Sequence, residues 1–406
     1  MKVLQINCVY GKGSTGKITR DIHLALLKQG IPSFVCFGRG ESSCEENVFQ
    51  VATDLISRMR RAVSSITGAP YGFTPWTNKK LEKEIHRIQP DVVHLQCING
   101  YFADIYRLLD YLKNNHYPTV LTLHAEFMHT GGCGYALDCN QWIEGCQKCP
   151  RLKSGLGVMG LDRVKSNYEK MRQAFQDFEK LIVVGVSDWI VQRAGKSRIM
   201  SDCRIMTIHN GIDTTNVFFP RDAQAVKEKY GIPDGKKIVL SVVPNLNSDL
   251  KGGKRMLELA RTMASKDYFF VVVGAREEVS NVPENMRIIP YTESQQELAE
   301  IYSLADVFVM GSKMDNYPTV CIEANSCGTP VVGFDVGGVS ETIYPGMGCT
   351  VPYGDTEQLV EKICEWAEKK TAITEQTKKD VLWQNSKERM IEDYLEIYRS
   401  VTKQTD

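Results

Sequence analysis

Short apolar runs alternate with amphipathic, helix-type segments along the 406-residue chain. The apolar runs show no regular exchange of apolar and polar positions, which is typical of parallel strands covered on both faces. They fall into two successive sets. The first set predicts strands near residues 2–9, 32–37, 91–95, 118–123, 181–186 and 204–208, and the second near 237–243, 268–273, 286–289, 306–310 and 330–334.

Helical periodicity fills the intervals between these strands, near residues 16–29, 79–88, 101–114, 162–177, 253–265, 294–304, 319–327 and 355–370. Such alternation predicts an α/β fold with parallel sheets wrapped by helices, and two sets predict two domains. A chain of this length also usually exceeds one hydrophobic core. We expect domains at 1–210 and 211–384, joined by a turn-rich segment after Asn210, and a last helix in 385–406 that returns to the first domain.

Composition narrows the classes of partner. Lys plus Arg equals Asp plus Glu, at 49 each, so bulk charge gives no support to a nucleic-acid partner.

The N-terminal residues lack the order of regions that a signal peptide requires, and no apolar run approaches the roughly 20 residues that span a bilayer. Most of the thirteen cysteines are scattered, which favours a reducing compartment. We therefore expect a cytoplasmic protein.

The glycine-rich loop after the first strand matches two well-known motifs, and its surroundings argue against both. Residues 11–16 read G-K-G-S-T-G, as in dinucleotide-binding loops, but the second strand ends at residues 35–39 without the acid that would hold a ribose. A P-loop needs Ser or Thr directly after Lys17, and Ile18 stands there. What remains is a glycine turn at a helix N-terminus, which can approach an anion or a substrate hydroxyl.

A second loop-to-helix junction carries two carboxylates. The buried strand before Gly311 leads into a polar loop with Asp315, and Pro318 marks the start of a helix in which Glu323 lies about one turn in. Backbone N–H groups near 318–320 suit a phosphate, and Glu323 can accept bonds from two neighbouring ribose hydroxyls. The alternative is an acid placed near a helix start for stability.

Lys251 lies in a glycine-flanked loop before the helix that starts near Lys254. A lysine in such a position can neutralise a diphosphate as a point charge. The alternative for this residue alone is an ordinary surface lysine. Together with the helix N-terminus and Glu323, it completes a set of groups for ribose, phosphate and counter-charge.

Several segments, in this order and spacing, resemble the retaining glycosyltransferases of family 4 (group 1), which have the GT-B fold and include bacterial capsule, exopolysaccharide and colanic-acid-type enzymes. The similarity runs through nearly the whole chain. The segments are GSTGKI at 13–18, PDVVHLQCINGYF at 90–102, TLHAEF at 122–127, TGGCGYALDCNQWIEGCQKCP at 130–150, HNGID at 209–213, LKGG at 250–253, DNYPTVCIEANSCGTPVVGFDVGG at 315–338, and Glu341.

The resemblance implies two Rossmann-like domains facing a deep cleft. The N-terminal domain would bind a saccharide acceptor, and the C-terminal domain a nucleoside-diphosphate sugar. It implies catalytic roles for His124, beside the transferred sugar, and for Asp315, near the donor sugar, with no cofactor required for catalysis. Transfer with retention is explained by same-face attack, and a nucleophilic Asp315 is the alternative. The implied donor-binding residues are Gly13, Ser14, Lys251, Tyr291, Thr292, Pro318, Thr319, Val320 and Glu323.

Three positions depart from the family pattern. Leu250 stands where a basic residue usually precedes the Lys-Gly pair, Ala125 follows the cleft histidine where an acid is common, with Glu126 one place later, and Gln96 replaces the second histidine of the His-Leu-His triplet. These changes keep open an alternative function, a sugar-nucleotide-binding protein with weak or no transferase activity.

The loop 130–150 holds four cysteines, with spacing C-x5-C-x6-C-x2-C. Four thiols at this spacing can close a tetrahedral structural zinc site, and reduced thiols or a disulfide are the alternatives. A zinc-ribbon nucleic-acid module would need more interleaved basic and aromatic residues than this loop supplies. The candidate ligands are Cys133, Cys139, Cys146 and Cys149.

The segment 55–81 contains no acidic residue. It combines basic and aromatic side chains that can rest on an anionic membrane, and the alternative is an ordinary solvated helix and loop. Because related enzymes build lipid-linked surface polysaccharide, we expect a lipid-linked acceptor and peripheral contact with the cytoplasmic face of the membrane. The residues concerned are Arg58, Arg60, Arg61, Phe73, Trp76, Lys79 and Lys80.

Overall fold

A computed structural model describes residues 1–72, 74–265, 267–276 and 280–403. The chain divides into two compact units, Met1–His209 together with the segment from Met390, and Asn210–Arg389. The return to the first unit thus comes at Met390, later than the predicted start at residue 385. Phe73, one of the aromatic residues in the predicted membrane segment, lies outside the described residues.

The N-terminal unit is built on a seven-stranded sheet in which every pairing is parallel, with the order β3-β2-β1-β4-β5-β6-β7. Its strands β1, β4, β5 and β6 are buried along their whole length, as their unbroken apolar runs predict. The strands are β1 (Val3–Asn7), β2 (Ser33–Phe37), β3 (Val48–Gln50), β4 (Val92–Leu95), β5 (Thr119–Leu123), β6 (Leu181–Gly185) and β7 (Arg204–Thr207).

The helices of this unit follow capping signals in the sequence. Pro75 occupies the first turn of α3, and the Asp104 side chain accepts a hydrogen bond from the Arg107 N–H, which places the start of α4 at Ile105 rather than near 101. The helices are α1 (Gly13–Lys28), α2 (Asp54–Thr67), α3 (Pro75–Ile88), α4 (Ile105–Asn114), α5 (Gln141–Glu144), α6 (Leu152–Leu156), α7 (Val164–Phe175) and α8 (Asp188–Lys196).

The C-terminal unit contains a six-stranded parallel sheet with the order β10-β9-β8-β11-β12-β13. Its core gathers Val239, Phe270, Val309 and Val332 from the sheet under α10 and α13. The elements are β8 (Lys237–Val242), β9 (Tyr268–Val273), β10 (Met286–Ile289), β11 (Val307–Met310), β12 (Val331–Phe334), β13 (Gly348–Val351), α9 (Gln224–Lys229), α10 (Gly253–Thr262), α11 (Gln295–Leu304), α12 (Thr319–Ser326), α13 (Thr356–Lys369) and α14 (Glu375–Gln384).

The last helix, α15 (Lys387–Lys403), begins in the C-terminal unit and continues in the N-terminal one. Met390, Tyr394 and Tyr398 recur at helical spacing, are buried, and join a core with sheet residues such as Val3 and Val92. The predicted return of this helix to the first unit is therefore confirmed, and so is the prediction of two parallel-sheet α/β units.

In both sheets the strand order reverses beside the first strand of the unit, between β1 and β4 and between β8 and β11. Loops at the carboxyl ends of strands diverge at such a switch point and leave a crevice where α/β proteins bind ligands. The two glycine-rich loops noted in the sequence follow β1 and β8, so each lies at the switch point of its own unit.

Candidate active site

At the switch point of the C-terminal unit, the loop after β8 and the loop after β11 are joined backbone to backbone. The Lys313 N–H donates to the Leu250 carbonyl at 3.0 Å. Gly252 has φ +76°, and a Cβ on it would lie 2.3 Å from the carbonyl carbon of Gly311. Only glycine meets both conditions, which explains why the lysine of this loop is followed by glycine.

This junction brings Lys251 and Asp315 together. The Lys251 Nζ lies 2.7 Å from Asp315 Oδ2, and the two side chains are 31% and 17% exposed. Such a pair is partly shielded from water, so its Coulomb energy exceeds that of a surface pair. The sequence predicted both residues at the donor site without predicting that they contact each other.

The backbone of Asp315 is held by the loop after β12. The Gly338 N–H donates to the Asp315 carbonyl at 3.0 Å. Gly337 has φ +61°, and a Cβ there would lie 1.9 Å from the same carbonyl oxygen. The glycine pair thus allows a close approach that fixes the position of Asp315.

Helix α12 begins at Thr319, and Pro318 occupies its N-cap position without a side-chain cap. Its first-turn N–H groups therefore lack the usual capping oxygen, and the Cys321 N–H reaches only the Pro318 carbonyl, at 3.1 Å. Thr319 and Val320 are half-buried. The arrangement can stabilise a phosphate through N–H groups and the helix dipole, and phosphate binding at this helix start stays a prediction.

Glu323 lies one turn further along α12, where the Tyr302 hydroxyl donates to its Oε2 at 2.9 Å. Tyr302 is fully buried and packs against the rings of Phe218 and Phe308. Burial, together with the adjacent carboxylate, raises the pKa of the Tyr302 phenol well above its usual value. Tyr302 is therefore a fixed donor that orients the Glu323 carboxylate.

Tyr291 and Thr292 follow β10, which is the edge strand and is separated from β8 by β9. The Tyr291 side chain is 66% exposed, and Thr292 is half-buried. Both residues lie at the carboxyl end of the sheet, as do Lys251 and Asp315. Their predicted contact with a nucleobase stays a prediction.

In the N-terminal unit, the loop after β1 forms a tight glycine turn. The Gly11 N–H donates to the Gly16 carbonyl at 2.9 Å, and Gly11 and Gly13 have φ of +67° and +65°. Gly13 and Ser14 are exposed at the start of α1, which has no side-chain cap. The turn can accept a ligand oxygen at the helix N-terminus.

His124 directly follows β5, and its Nε2 lies 2.9 Å from Gln96 Oε1. Burial lowers the pKa of His124 to about 4, so the ring is neutral near neutral pH. Because a Gln oxygen can only accept, Nε2 carries the proton of His124. The amide of Gln96 donates in turn to Gln5 Oε1 at 3.3 Å, which fixes its orientation.

The acid that follows Ala125 has a structural role. Glu126 is fully buried, accepts from the Ala136 N–H at 2.7 Å, and pairs with the Arg193 Nε at 2.6 Å. The guanidinium of Arg193 stacks over Trp142. These contacts anchor the cysteine-rich loop, so Glu126 does not replace the acid that is common beside the cleft histidine.

All four candidate zinc ligands are free thiols, and Cys146 is the buried member. Burial raises the pKa of Cys133 to about 11 and that of Cys146 to about 12. Across the part of the chain that the structure describes, no three of the four sulfur atoms lie within 4.8 Å of one another. Zinc binding would thus require the loop to close further, and it stays a prediction.

Two family models match adjacent parts of the chain. Glycosyltransferase Family 4 matches residues 15–216, and Glycosyl transferases group 1 matches residues 222–388. The chain belongs to these glycosyltransferases. Most of the first segment lies in the unit that holds His124, and the second segment carries Lys251, Asp315 and Glu323.

The glycosyltransferase is 26% identical over 380 residues to WcaC of Escherichia coli (strain K12), described as a colanic acid biosynthesis glycosyl transferase, with 89% of this chain and 90% of WcaC covered. Two solved structures share its GT-B fold. A glycosyltransferase from Rickettsia africae ESF-5 has a TM-score of 0.66 at 16% identity, covering 99% of this chain and 98% of its own. Anabaena HepE in complex with UDP has a TM-score of 0.62 at 15% identity, covering 98% of this chain and all of its own.

Three residues that position groups of the candidate site are not among the predicted site residues. Tyr302 orients Glu323, Gln96 fixes the proton of His124, and Gly337 seats Asp315. Gln96 was noted only as a departure from the family triplet. Tyr302 sits in an ordinary amphipathic helix, so no local pattern distinguishes it from a core residue.

Proposed function

We propose that this glycosyltransferase moves a sugar, with retention of anomeric configuration, from a nucleoside-diphosphate sugar to a lipid-linked saccharide in surface polysaccharide synthesis. The observation that carries the proposal is the set of groups on α12 and its neighbouring loops. Glu323 is oriented by Tyr302, and one turn before it the helix N-terminus lies near the Lys251–Asp315 pair. Each part of the donor is thus assigned a group of suitable chemistry: Glu323 for the ribose, Lys251 and the helix N-terminus for the diphosphate, and Asp315 for the sugar.

Two groups stabilise the leaving diphosphate. The ammonium of Lys251 supplies a point charge, and the first-turn N–H groups of α12 supply oriented dipoles. Backbone contacts hold both groups in position, and for the loop of Lys251 this contact is the close packing of Gly252 against Gly311. Little reorganisation is therefore needed when charge develops on the phosphate.

In the proposed reaction, the bond between the anomeric carbon and the diphosphate oxygen breaks, and the electron pair leaves with the diphosphate. The acceptor hydroxyl attacks from the same face, and its proton passes to the departing phosphate oxygen. Lys251 and α12 lower the energy of the leaving group, and the acids need not form a covalent bond.

Asp315 is assigned to orienting the donor sugar. Its Oδ2 is paired with Lys251 at 2.7 Å, and its backbone is fixed by Gly338. An ion-paired carboxylate is a weaker nucleophile than a free one, since attack would cost part of the Coulomb energy of the pair. This contact therefore favours same-face attack over a covalent intermediate on Asp315.

The acceptor assignment rests on the similarity to WcaC, whose name places it in colanic acid biosynthesis. We assign the N-terminal unit to the acceptor, while its residues Gly13 and Ser14 keep the donor-binding role, and His124 the catalytic role, that the family resemblance implies. Within the described residues, no helix has both the length and the apolar character needed to cross a bilayer. We place the enzyme at the cytoplasmic face of the membrane.

The proposal is tested first on the donor. UDP, GDP, ADP and dTDP, and then their common sugar conjugates, are screened for an increase in Tm of the purified protein. The expected result is a clear increase with one base, a larger increase with one conjugate, and loss of the increase in Glu323→Ala. If no nucleotide raises Tm, the donor assignment fails. Retention is then read from the anomeric coupling constant of the product formed from the selected donor.

A sugar-nucleotide-binding protein without turnover is the second candidate, and Leu250 is the observation that favours it. Leu250 carries no charge where the family usually has a basic residue, so part of the counter-charge for the leaving diphosphate is missing from this loop. If donor binding is measurable while hydrolysis and transfer stay at the background rate, the second candidate is the correct one.

A further inference from the structure

Helix α2 is apolar on the side that faces solvent. Its two buried side chains are Ser57 and Ser64. Large apolar residues recur at helical spacing on another face, and each is more than half exposed: Leu55 67%, Met59 61%, Val63 54% and Ile66 67%. A surface helix normally buries its apolar stripe, so this reversed pattern indicates that a partner covers it.

A second segment extends this apolar surface. The Met159 and Gly160 N–H groups donate to the Ser65 carbonyl, and the Leu161 N–H donates to the Ile66 carbonyl at 3.0 Å. A Cβ on Gly160 would lie 1.9 Å from the Ile66 carbonyl oxygen, so glycine allows the two backbones to meet. The apolar ridge comprises Leu55, Met59, Val63, Ile66, Met159 and Leu161, the last two being 76% and 58% exposed.

A basic groove lies on the same helix. It has a volume of about 640 Å³ and is lined by Arg58, Arg61 and Lys153 together with Ser64, Ser65 and Ser154. Arg60 is not part of it, because its guanidinium donates to the Gly72 carbonyl. On an ideal helix, positions 58 and 61 lie to one side of the stripe formed by 55, 59 and 66. The ridge and the groove therefore adjoin.

We propose that the apolar ridge and the basic groove together dock on an anionic lipid bilayer. The ridge enters the boundary between headgroups and acyl chains, while Arg58, Arg61 and Lys153 bind lipid phosphates. Amphipathic helices with this division of apolar and basic faces lie in the membrane interface, and each basic residue near an anionic surface adds to the affinity. The docking supplies the membrane contact that the lipid-linked acceptor of the proposed function requires.

Charge decides between a membrane and a second copy of the chain. In a two-fold dimer through this surface, the same patch faces itself, so the basic groups of one copy would meet those of the other. No acidic residue occurs between Leu55 and Leu81 to compensate them. An anionic bilayer complements the basic groove, while the exposed acids Asp54 and Asp162 stand next to the ridge residues Leu55 and Leu161 in the sequence.

The test is flotation of the full-length protein with vesicles of phosphatidylcholine, alone or mixed with phosphatidylglycerol. The ridge variant is Met59→Ser with Val63→Ser and Ile66→Ser, and the groove variant is Arg58→Gln with Arg61→Gln. Each should lower partition onto the mixed vesicles by about tenfold or more, and wild type should favour the mixed vesicles. Matched controls are Trp383→Ser, which loses a side chain 58% exposed in the C-terminal unit, and Arg204→Gln, which loses an exposed arginine.

Equal flotation of wild type and both variants would overturn the proposal. So would a wild-type dimer, seen by light scattering, that the ridge variant converts to monomer. Nucleotide-induced increases in Tm are measured on every variant. A variant that keeps the nucleotide-induced increase in Tm but no longer floats with the vesicles supports the docking surface. If nucleotides do not raise the Tm of the wild type, the donor assignment is refuted, and the flotation result still tests the docking surface.

Discussion

The ammonium nitrogen of Lys251 lies 2.7 Å from Oδ2 of Asp315, and the two residues stand on loops that follow neighbouring strands of one sheet. The pair links the group assigned to the diphosphate with the group assigned to the sugar. Each side chain therefore sets the position of the other, and a change in either affects both assignments.

Lys251→Ala should weaken binding of the nucleoside diphosphate and lower kcat/KM by about 100-fold, since it removes the charge on the leaving group and leaves Asp315 unpaired. Asp315→Asn should act chiefly on kcat. Steady-state kinetics and calorimetric titration with the nucleotide separate the two effects. Lys254→Ala is the control, because Lys254 is exposed on the same helix start. If both site variants changed only nucleotide affinity, the separate roles of the two residues would be wrong.

Tyr302→Phe should weaken nucleotide binding about tenfold, because hydrogen bonds to charged groups contribute about 1.5 kcal/mol or more. Glu323→Gln should have a larger effect, and Tyr302→Phe should add little to it in a double-mutant cycle. Tyr230→Phe is a matched control, since Tyr230 donates to Glu297 at 2.8 Å on α11, away from the predicted ribose group. Additive effects of the two site variants would show that Tyr302 does not act through Glu323.

Much of this site could be predicted because its signals are local. Pro318 before a helix, Glu323 one turn in, and Lys251 between glycines are short-range patterns that follow from capping and backbone chemistry. Tyr302 and Gly337 act on residues that are distant in sequence, and only the tertiary fold brings them into contact.

Two strands are not predicted by the sequence pattern, and this too has a physical reason. β3 and β13 are edge strands of three and four residues and are partly exposed, so they carry polar positions and lack a continuous apolar run. Helix α2 was not predicted either, since its exposed face is apolar and its buried face is serine. The periodicity of apolar residues predicts helices whose apolar face is buried, and it fails for a helix such as α2 whose apolar face is exposed.

Gly337→Ala should lower activity strongly while the protein stays folded. The substitution strains a φ of +61° and drives a Cβ to within 1.9 Å of the Asp315 carbonyl, so the loop that holds Asp315 must move. Gly346→Ala is the control, because Gly346 has φ +80° but no atom within 4 Å of the added Cβ. Both variants should lose about 1 kcal/mol of stability from strain, and only the first should lose further stability and activity. Equal activity of the two would contradict the role of this contact.

The cysteine loop should bind one zinc ion per chain, measured by elemental analysis of protein produced with added zinc. Cys146→Ser with Cys149→Ser removes two of the four ligands and should abolish the zinc and lower Tm. Cys203→Ser, which removes a half-buried thiol elsewhere in the N-terminal unit, should change neither. Absence of zinc from the wild type, with a Tm insensitive to chelator, would leave the four residues as ordinary thiols.

Stability should fall below about pH 6.5. Burial lowers the pKa of His124 to about 4 and that of His94 to about 3, whereas unfolded histidine titrates near 6.5. Between these values the unfolded chain binds more protons, so the free energy of unfolding rises with pH by up to about 1.4 kcal/mol per pH unit for each histidine. Urea unfolding from pH 4.5 to 7.5 measures the slope, and His86→Gln, at an exposed position, should leave it unchanged.

Gln96→Glu places a carboxylate against His124 Nε2, which lies 2.9 Å from the amide oxygen of Gln96. A nearby negative charge favours the protonated imidazole, so the pKa of His124 should rise and an acid limb should appear at higher pH in the rate profile. The part of the stability slope that comes from His124 should move to higher pH in the same variant, because its folded pKa then approaches the unfolded value. If the rate profile stays unchanged while the stability slope moves, His124 titrates as inferred but takes no part in transfer.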